Sequence, residues 1–311
     1  MLTNHPLKPE YRQAVMKVLS YINQNLAGDV SLETMASIAN YSPFHFQRIF
    51  SEAVSESPKQ YVIRLRLERA AHFIKLFPAL SISEIALGSG FSSDSIFSRA
   101  FKNYYGITAE MYRNLPSDQM NEINKKRNSQ YPFDDATWIT PITNIDENIE
   151  KVRIEQTPIL STIFPFTIAC VQTTLSHKEN IAFAFKTLFK WANPRGLVTT
   201  NTKYFGIWLD FPFITPCAKC RFLCGMGVSP EIKLSQGISS INFNKGLYLN
   251  YSLTGNIDVT LNSLIALNHN YIDSIGYTIS EMICYEQFEE NPVEIPYEKT
   301  NRQLLIPVKI K

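Results

Sequence analysis

The chain has 311 residues, of which 45% are hydrophobic and 19% are charged. This composition is typical of an ordered globular protein and excludes a fibrous or disordered one, and the length allows two domains with separate cores. The net charge is only +2, but residues 1–127 carry 15 basic against 11 acidic side chains, whereas the remainder carries 15 against 17. The basic excess therefore indicates a polyanionic partner for the first part of the chain.

The chain shows no sign of secretion, membrane insertion or metal binding. No basic-then-apolar leader stands at Met1, and the longest apolar run, residues 158–171, is too short to span a bilayer, so a cytoplasmic location without a membrane partner is expected. The odd number of cysteines, five, indicates thiols. Cys217, Cys220 and Cys224 are spaced like zinc ligands, but no second ligand pair follows, so structural thiols are favoured. No metal and no cofactor is expected.

One short pattern occurs twice in the first third of the chain, about fifty residues apart. Each copy contains an alanine, a turn residue four positions later, an Arg-x-Phe sequence and a tyrosine eleven residues after the Phe. A small residue before a turn, followed by an amphipathic stretch, is typical of a helix-turn-helix unit. The copies comprise Ala36, Asn40, Arg48, Phe50 and Tyr61, then Ala86, Gly90, Arg99, Phe101 and Tyr112.

Helical periodicity extends over residues 11–115, which predicts an all-α domain over residues 8–115. Ser31 and Ser42 are expected to cap helices, and a long helix over about residues 59–76 joins the two copies. In each copy the second helix should pack apolar side chains inward and present polar ones outward. The expected inward side chains are Phe46, Ile49, Phe50, Ile96, Phe97, Ala100 and Phe101.

The expected outward side chains suit the edges of base pairs in the major groove of double-stranded DNA. Gln47 can bond adenine twice, Arg48 can bond guanine twice, and Phe44 can contact a thymine methyl group. Two such helices on one rigid module could enter successive major-groove segments, so that a monomer reads an asymmetric site. The alternative is a helical packing module with solvated polar positions. The predicted DNA-binding residues are Phe44, His45, Gln47, Arg48, Asp94, Ser95, Ser98 and Arg99.

The two copies differ in their outward chemistry. The turn residue precedes the arginine by eight positions in the first copy and by nine in the second. The first copy presents an aromatic ring, an amide and a guanidinium, whereas the second presents an acid and small hydroxyl groups beside its arginine. The pair is therefore predicted to be one asymmetric reader in which the second unit is the weaker or more permissive one.

Residues 11–115 resemble the DNA-binding domain of the AraC/XylS family of transcriptional regulators. The resemblance rests on residues 41–50, on the linker-helix segment 64–71, and on residues 82–101 leading into Tyr112 and Arg113. It implies a regulator with DNA and RNA polymerase as partners. It also implies that five of the predicted side chains approach bases, namely Phe44, Gln47, Arg48, Ser95 and Arg99.

The sequence departs from that family pattern at two positions. Asn40 stands where the turn usually has glycine, and asparagine tolerates the left-handed backbone conformation. Pro43 occupies a place often held by a basic residue, which is expected to remove one phosphate contact. The domain order is also reversed, since most regulators of this family carry the sensor first.

The second half of the chain alternates predicted strands and helices. Residues 116–150, with clustered Pro, Asp and basic residues and no sustained period, are predicted to be a linker. The order of elements after it occurs twice, which suggests a duplicated α+β domain over residues 151–311. The predicted strands are 152–154, 168–174, 204–210, 247–253, 283–288 and 304–310, and the predicted helices are 181–192 and 258–272.

Residues 151–311 resemble GyrI-like domains, the fold of sensor domains in multidrug-sensing regulators. The matching stretches are 152–155, 206–210 with Pro212, 215–222, 246–248, 285–288 and 304–308. The resemblance implies an α+β domain with an antiparallel sheet, behind the all-α domain, in a multidomain protein. It also implies a small-molecule pocket between two pseudo-symmetric halves.

Glu286 is the predicted centre of that effector pocket, because a carboxylate in an apolar, aromatic strand is costly to bury without a cationic partner. Phe288 shares its strand face, and Tyr204 and Trp208 share a face of another strand. Together they would form an aromatic cage for a small, lipophilic cation. The alternative is that Glu286 faces solvent and the aromatic side chains are core.

The sequence leaves three possible functions for the C-terminal half. In the leading hypothesis the protein is a DNA-binding transcriptional regulator, not an enzyme, and its C-terminal half senses an effector or partner. The resemblance leaves a runner-up, because some GyrI-like domains hydrolyse strained-ring toxins with a pocket Glu and Tyr; hydrolysis or toxin sequestration is therefore the alternative. The third is an interaction surface without a ligand.

Overall fold

The computed structural model describes residues 8–77, 80–116, 119–120, 122–123, 154, 156–212, 214–215, 217–235, 237–281 and 283–311. The chain divides after Leu115 into two compact units. The first unit is helical, and the second contains an antiparallel sheet with two longer helices. Of the predicted linker, only residues 116, 119–120 and 122–123 are described, and the predicted strand 152–154 is described only at Ile154.

Seven helices make up the described part of the first unit, and serine or threonine begins most of them. Six follow a Ser or Thr whose side-chain oxygen accepts a backbone N–H of the first turn, which satisfies a group that has no partner within the helix. Ser31 and Ser42 cap helices as predicted. The helices are α1 Pro9–Asn25, α2 Leu32–Ala39, α3 Pro43–Val54, α4 Pro58–Leu76, α5 Ile82–Gly88, α6 Asp94–Tyr105 and α7 Ala109–Asn114.

Helices α2 and α3 form the first helix-turn-helix unit, α5 and α6 form the second, and α4 joins them, as predicted. In α3 the predicted core residues Phe46, Ile49 and Phe50 are all buried. In α6 the buried stripe follows the i, i+4, i+8 spacing of Phe97, Phe101 and Tyr105. The expectation that Ile96 is buried is wrong, because this side chain lies off that stripe and is 52% exposed.

The turns of the two units explain why one contains asparagine and the other glycine. Asn40 adopts the left-handed conformation, with a φ of 58°, and is exposed. Gly90 has a φ of 97°, and a Cβ atom there would lie 2.7 Å from Arg66 Nε and 2.8 Å from the Leu26 carbonyl oxygen. The second turn therefore packs against the linker helix and the α1–α2 loop so closely that only glycine fits.

The second unit is built on one antiparallel sheet. Its strands lie in the order β1-β6-β9-β8-β3-β4-β2-β5, and the short β7 also pairs with β9. Helix α8 is Glu179–Ala192, and α9 is Ile257–Ala266, which continues as a wider helical turn to Tyr271. The strands are β1 Ile159–Ile163, β2 Phe166–Thr174, β3 Tyr204–Trp208, β4 Arg221–Val228, β5 Ser239–Phe243, β6 Gly246–Thr254, β7 Tyr277–Ile279, β8 Cys284–Phe288 and β9 Asn301–Ile310.

The sheet contains the same motif twice, as the repeated order of predicted elements suggested. In the first half, β4 lies between β2 and β3, and α8 connects β2 to β3. In the second half, β9 lies between β6 and β8, and α9 lies between β6 and β8 in sequence. The pairing of β3 with β8 joins the two halves at the centre of the sheet.

The two faces of this sheet are covered differently. One face carries the helices: the Phe185 ring of α8 contacts Phe288, and Thr260 of α9 contacts Glu286. The opposite face carries a buried aromatic cluster in which Phe243 packs on Phe205 and Tyr285. The predicted effector residues all lie on the helix-covered face, because Tyr204 pairs with Phe288 and Gly206 pairs with Glu286 in register.

Candidate DNA interface and effector site

The outward face of α3 presents most of the predicted side chains. Phe44 is 84% exposed, which is unusual for a large apolar side chain, and Gln47 and Arg48 are also exposed. Pro43 occupies the first position of the helix, where its missing N–H costs nothing. An apolar ring, an amide and a guanidinium are therefore exposed to solvent on the outward face of α3.

His45 differs from its predicted outward position. Its ring is half-buried and stacks on Tyr41, with ring centroids 5.0 Å apart, and meets Tyr11 edge-on at 5.7 Å. Because Tyr11 belongs to α1, His45 helps to pack α1 against α3. The contacts of His45 are those of a packing residue, and its aromatic neighbours have no local signal in the sequence.

Helix α6 also presents polar side chains, with one exception to the prediction. Ser95, Ser98 and Arg99 are exposed. The Asp94 carboxylate, although exposed, accepts a hydrogen bond from the Ser83 hydroxyl of α5 and so connects the two helices of the unit. Ile96, which was predicted to be a core residue, is an exposed apolar side chain, and it gives α6 an apolar contact residue comparable to Phe44 in α3.

A cleft of about 700 Å³ lies between the two helix-turn-helix units. Gln47 of α3 and Ile96 of α6 both line it, together with the first turns of α4 and the turn at Gly90. The two second helices therefore border one concave surface within a single compact unit.

The sheet register brings the predicted effector residues together in the sheet-containing unit after Leu115. Glu286 lies opposite Gly206, and Tyr204 and Trp208 stand on either side of that glycine on the same face. Tyr204, Trp208, Glu286 and Phe288 are each at most 7% exposed. The alternative of a solvent-facing Glu286 is therefore wrong.

The Glu286 carboxylate is fully buried and surrounded by donors from three elements. Thr260 Oγ1 donates to Oε1 at 2.7 Å, and the Tyr297 hydroxyl lies 2.8 Å from Oε1 and 2.9 Å from Oε2. Arg302 Nε lies 3.6 Å from Oε1. The chain therefore supplies its own cation to the buried acid, and the Arg302 guanidinium stands 4.0 Å from the centre of the Tyr297 ring.

Arg302 is held mainly by backbone oxygens rather than by Glu286. Its Nη2 donates to the Gly255 carbonyl at 2.8 Å, and its Nη1 donates to the carbonyls of Thr300, at 3.1 Å, and Tyr297. Burial and the neighbouring carboxylate raise the pKa of Tyr297 well above its ordinary value. The tyrosine therefore keeps its proton at neutral pH and donates a hydrogen bond to Glu286.

Sequence reasoning missed the partners of Glu286 because they come from distant parts of the chain. Thr260 lies in α9, Tyr297 lies in the short turn Tyr297–Lys299, and Arg302 lies near the start of β9. Only Arg302 had a sequence signal, since a guanidinium at the edge of an apolar strand needs acceptors. Gly206 was also missed: a Cβ there would lie 2.5 Å from the Phe222 ring and 3.1 Å from Glu286 Oε2.

The first half of the sheet contains a buried ion pair that corresponds to the one at Glu286. Arg221 begins β4 as Arg302 stands near the beginning of β9, and both arginines are buried. The Arg221 guanidinium makes two hydrogen bonds to Asp210, of 2.6 Å and 2.7 Å, in a fork geometry, and the Arg221 backbone N–H makes a third at 2.9 Å. Glu286 and Arg302 have only the longer contact, which distinguishes the second half from the first.

The cysteines and the helices add no further site. All five cysteines are buried thiols, and burial raises the pKa of Cys217 to about 11 and that of Cys224 and Cys284 well above the ordinary value. Within the described parts of the chain, no three His, Cys, Asp or Glu side chains converge as metal ligands do. The described helices likewise include none that is both long enough and apolar enough to cross a bilayer.

Comparison with known proteins assigns both units to families. A helix-turn-helix domain model matches residues 35–115, and the model of the GyrI-like small molecule binding domain matches residues 156–309. An uncharacterized HTH-type transcriptional regulator of Bacillus subtilis, YbfP, is 32% identical over 121 residues, which are 39% of each protein. The activator AarP of Providencia stuartii is 32% identical over 99 residues, which are 32% of this chain and 73% of AarP.

Among solved structures, the C-terminal domain of EcmrR aligns with 50% of this chain and covers 98% of its own chain, at 13% identity and a TM-score of 0.38. The chain covers about two fifths of the length of the Bacillus relative. Its two family matches follow one another in the sequence without overlap. By this domain composition the chain belongs to the AraC-type helix-turn-helix transcriptional regulators that carry a C-terminal GyrI-like small-molecule-binding domain.

Proposed function

We propose that the chain regulates transcription by reading an asymmetric DNA site with both helix-turn-helix units. The observation that carries this proposal is the single cleft bordered by Gln47 of α3 and Ile96 of α6. Phe44 and Arg48 extend the first surface, and Arg99 extends the second. Because both units belong to one compact body, one copy of the chain is able to contact two consecutive major-groove segments.

The two units are expected to contribute unequally to sequence recognition. The α3 surface offers two side chains capable of bidentate contacts to bases, Gln47 and Arg48, whereas α6 offers only Arg99 for such contacts. Ile96 adds an apolar contact suited to thymine methyl groups. Asp94 is already bonded to Ser83 and carries a negative charge, so it adds little attraction to DNA.

A base-substitution scan tests this division. A preferred site is first selected from random duplexes with the full-length protein, and each base pair is then replaced in turn while affinity is measured at fixed salt. Substitutions in the half-site contacted by α3 are expected to cost about 1–3 kcal/mol each, and those in the other half-site less. Arg48→Ala and Arg99→Ala assign the half-sites, since each relaxes specificity in its own. Equal sensitivity of the two half-sites would refute the unequal division.

We propose further that the GyrI-like domain senses a small lipophilic cation at Glu286. Three donor groups surround the carboxylate, but the charged one, Arg302, is the most distant at 3.6 Å and has three backbone carbonyls of its own. A cation that enters the site therefore competes for Glu286 with an arginine that makes one long contact, and not with an arginine held in a bidentate pair. Because the aromatic side chains around the site are buried, the effector must displace some of them as it enters.

A matched pair of probes tests the charge requirement: tetraphenylphosphonium and the neutral triphenylphosphine oxide, titrated into the full-length protein by calorimetry. Glu286→Gln is expected to weaken binding of the phosphonium about tenfold or more, as loss of a buried charge pair would, and to leave the oxide unaffected. Glu281→Gln, which removes a carboxylate bonded to Asn244 instead, is the control. Equal phosphonium affinities of the wild type and Glu286→Gln would exclude the charge role.

The contact between Tyr297 and both oxygens of Glu286 favours one second candidate function, hydrolysis of a strained electrophile. A phenol that donates to a carboxylate forms an acid–base pair able to protonate an opening ring while the carboxylate assists attack by water. Incubation with an electrophile that contains a three-membered ring distinguishes the two functions. Multiple turnovers per chain would establish the enzyme, whereas capture of one equivalent would exclude it.

A further inference from the structure

A chain of polar side chains connects the end of the first recognition helix to the last turn of the second. Arg64 of the linker helix α4 donates from Nε to the Glu56 carboxylate at 2.9 Å and 3.1 Å, and from Nη1 to Glu68 Oε2 at 3.2 Å. The Tyr104 hydroxyl of α6 donates to Glu68 Oε1 at 3.0 Å. Glu56 lies in the connection between α3 and α4, so the chain of contacts spans both helix-turn-helix units.

Burial makes these contacts strong enough to fix positions. Glu68 is 1% exposed, and the Arg64 side chain is 12% exposed. A carboxylate so buried requires its partners, because an unpaired charge at such a place is strongly unfavourable. Burial by itself would lower the pKa of Arg64, but the Glu68 and Glu56 carboxylates outweigh it and raise the pKa well above the ordinary value. The guanidinium is therefore always charged.

The linker helix is fastened on another side as well. Arg66 donates from Nε to the Leu26 carbonyl and from Nη2 to the Gly28 carbonyl, both at 2.9 Å. These two bonds attach α4 to the α1–α2 loop, which precedes the first helix-turn-helix. The turn of the second helix-turn-helix packs against the same arginine at Gly90, where there is no room for a Cβ atom. Helix α4 is thus in contact with both helix-turn-helix units, and Tyr104 of the second recognition helix donates a hydrogen bond to it.

We propose that Glu68 and Tyr104 are positioning residues that set the distance and rotation between α3 and α6, and thereby the spacing of the two DNA half-sites that the protein accepts. This inference rests on the proposed reading of one duplex by both units. Inserting one base pair moves the second half-site by about 3.4 Å along the duplex and turns it by about a tenth of a turn. A protein in which α3 and α6 are held rigidly is unable to adjust to the shifted half-site. A variant in which the contacts between these helices are weakened adjusts to part of the shift.

The test compares spacing variants of the selected DNA site with the full-length wild type, Tyr104→Phe and Glu68→Gln. The wild type is expected to bind the selected site about tenfold or more better than sites with one base pair added or removed between the half-sites, because its second helix then meets the wrong part of the duplex. Tyr104→Phe keeps the ring but loses the hydroxyl, and it should reduce this ratio to about threefold or less. Glu68→Gln retains an acceptor for Tyr104 and should give an intermediate ratio.

Tyr21→Phe is the matched control, because it also removes a tyrosine hydroxyl, whose bond to the Asp29 carbonyl joins α1 to the α1–α2 loop and involves neither α4 nor α6. It should keep the wild-type ratio. A merely structural role for Tyr104 would weaken binding to all spacings equally, so an unchanged ratio in Tyr104→Phe overturns the proposal. Selection of a site with only one half-site, insensitive to Arg99→Ala, would instead overturn the reading by two units and this inference with it.

Discussion

Replacement of Arg48 and Arg99 together by alanine is expected to abolish specific DNA binding while the helical unit stays folded. Each arginine lies on the exposed face of its helix, and neither takes part in a hydrogen bond or ion pair with the described residues. A bidentate contact between arginine and guanine contributes about 1–3 kcal/mol of discrimination. Loss of both therefore removes about 2–6 kcal/mol, most of the 4–10 kcal/mol that typically separates specific from non-specific binding.

Fluorescence anisotropy with the selected duplex measures this loss, and circular dichroism during heating measures stability, which should change little because exposed substitutions usually cost less than about 0.5 kcal/mol. Arg12→Ala with Lys17→Ala is the control: both lie exposed on α1, and the pair removes the same charge. The control should weaken binding to specific and random duplexes to a similar degree. If the Arg48 and Arg99 variant binds the selected site as well as the control does, these arginines do not read bases.

The helical unit was predictable because its signals are local. Serine caps, i, i+3, i+4 stripes and turn residues each act within a few positions, so Ser31, Ser42 and the long helix α4 were found from sequence. His45 and Ile96 were placed wrongly because their environments come from other helices. His45 meets a ring of α1, and Ile96 falls outside an aromatic stripe that only the packing of α6 defines.

The strands and the effector site were harder to predict from the sequence for the same reason, because their environments come from distant parts of the chain. Strand β4 was missed because its first six residues, Arg221–Met226, are buried on both faces and show no alternation. Strand β2 was predicted from residue 168 onward, whereas β1 was missed because it lies in the same apolar run, which the sequence did not divide. Glu286 stood out from sequence because it interrupts an apolar strand, whereas Thr260, Tyr297 and Arg302 reach it only through the pairing of β8 with β9 and the packing of α9.

Replacement of Arg302 by methionine is expected to destabilise the GyrI-like domain by about 3–5 kcal/mol, because the change leaves the buried Glu286 without its cation. It also removes the guanidinium donor from the Gly255, Tyr297 and Thr300 carbonyls. Denaturation of the full-length protein by urea measures the loss, with the C-terminal transition followed by tryptophan fluorescence, since Trp208 lies beside the site. Glu286→Gln alone should cost less, because the amide still accepts from Thr260 and Tyr297.

The double variant Glu286→Gln with Arg302→Met decides whether the two residues act as a pair. If they do, the double variant is more stable than the sum of the two single losses predicts, by about 1 kcal/mol or more. Arg221→Met breaks the corresponding pair with Asp210 in the first half and should be about as destabilising, but without any coupling to Glu286→Gln. Strict additivity of Glu286 and Arg302 would mean that the carbonyls alone hold the arginine. Glu286 would then be a buried carboxylate stabilised by hydrogen bonds from Thr260 and Tyr297, and the proposed cationic effector would supply the charge that compensates it.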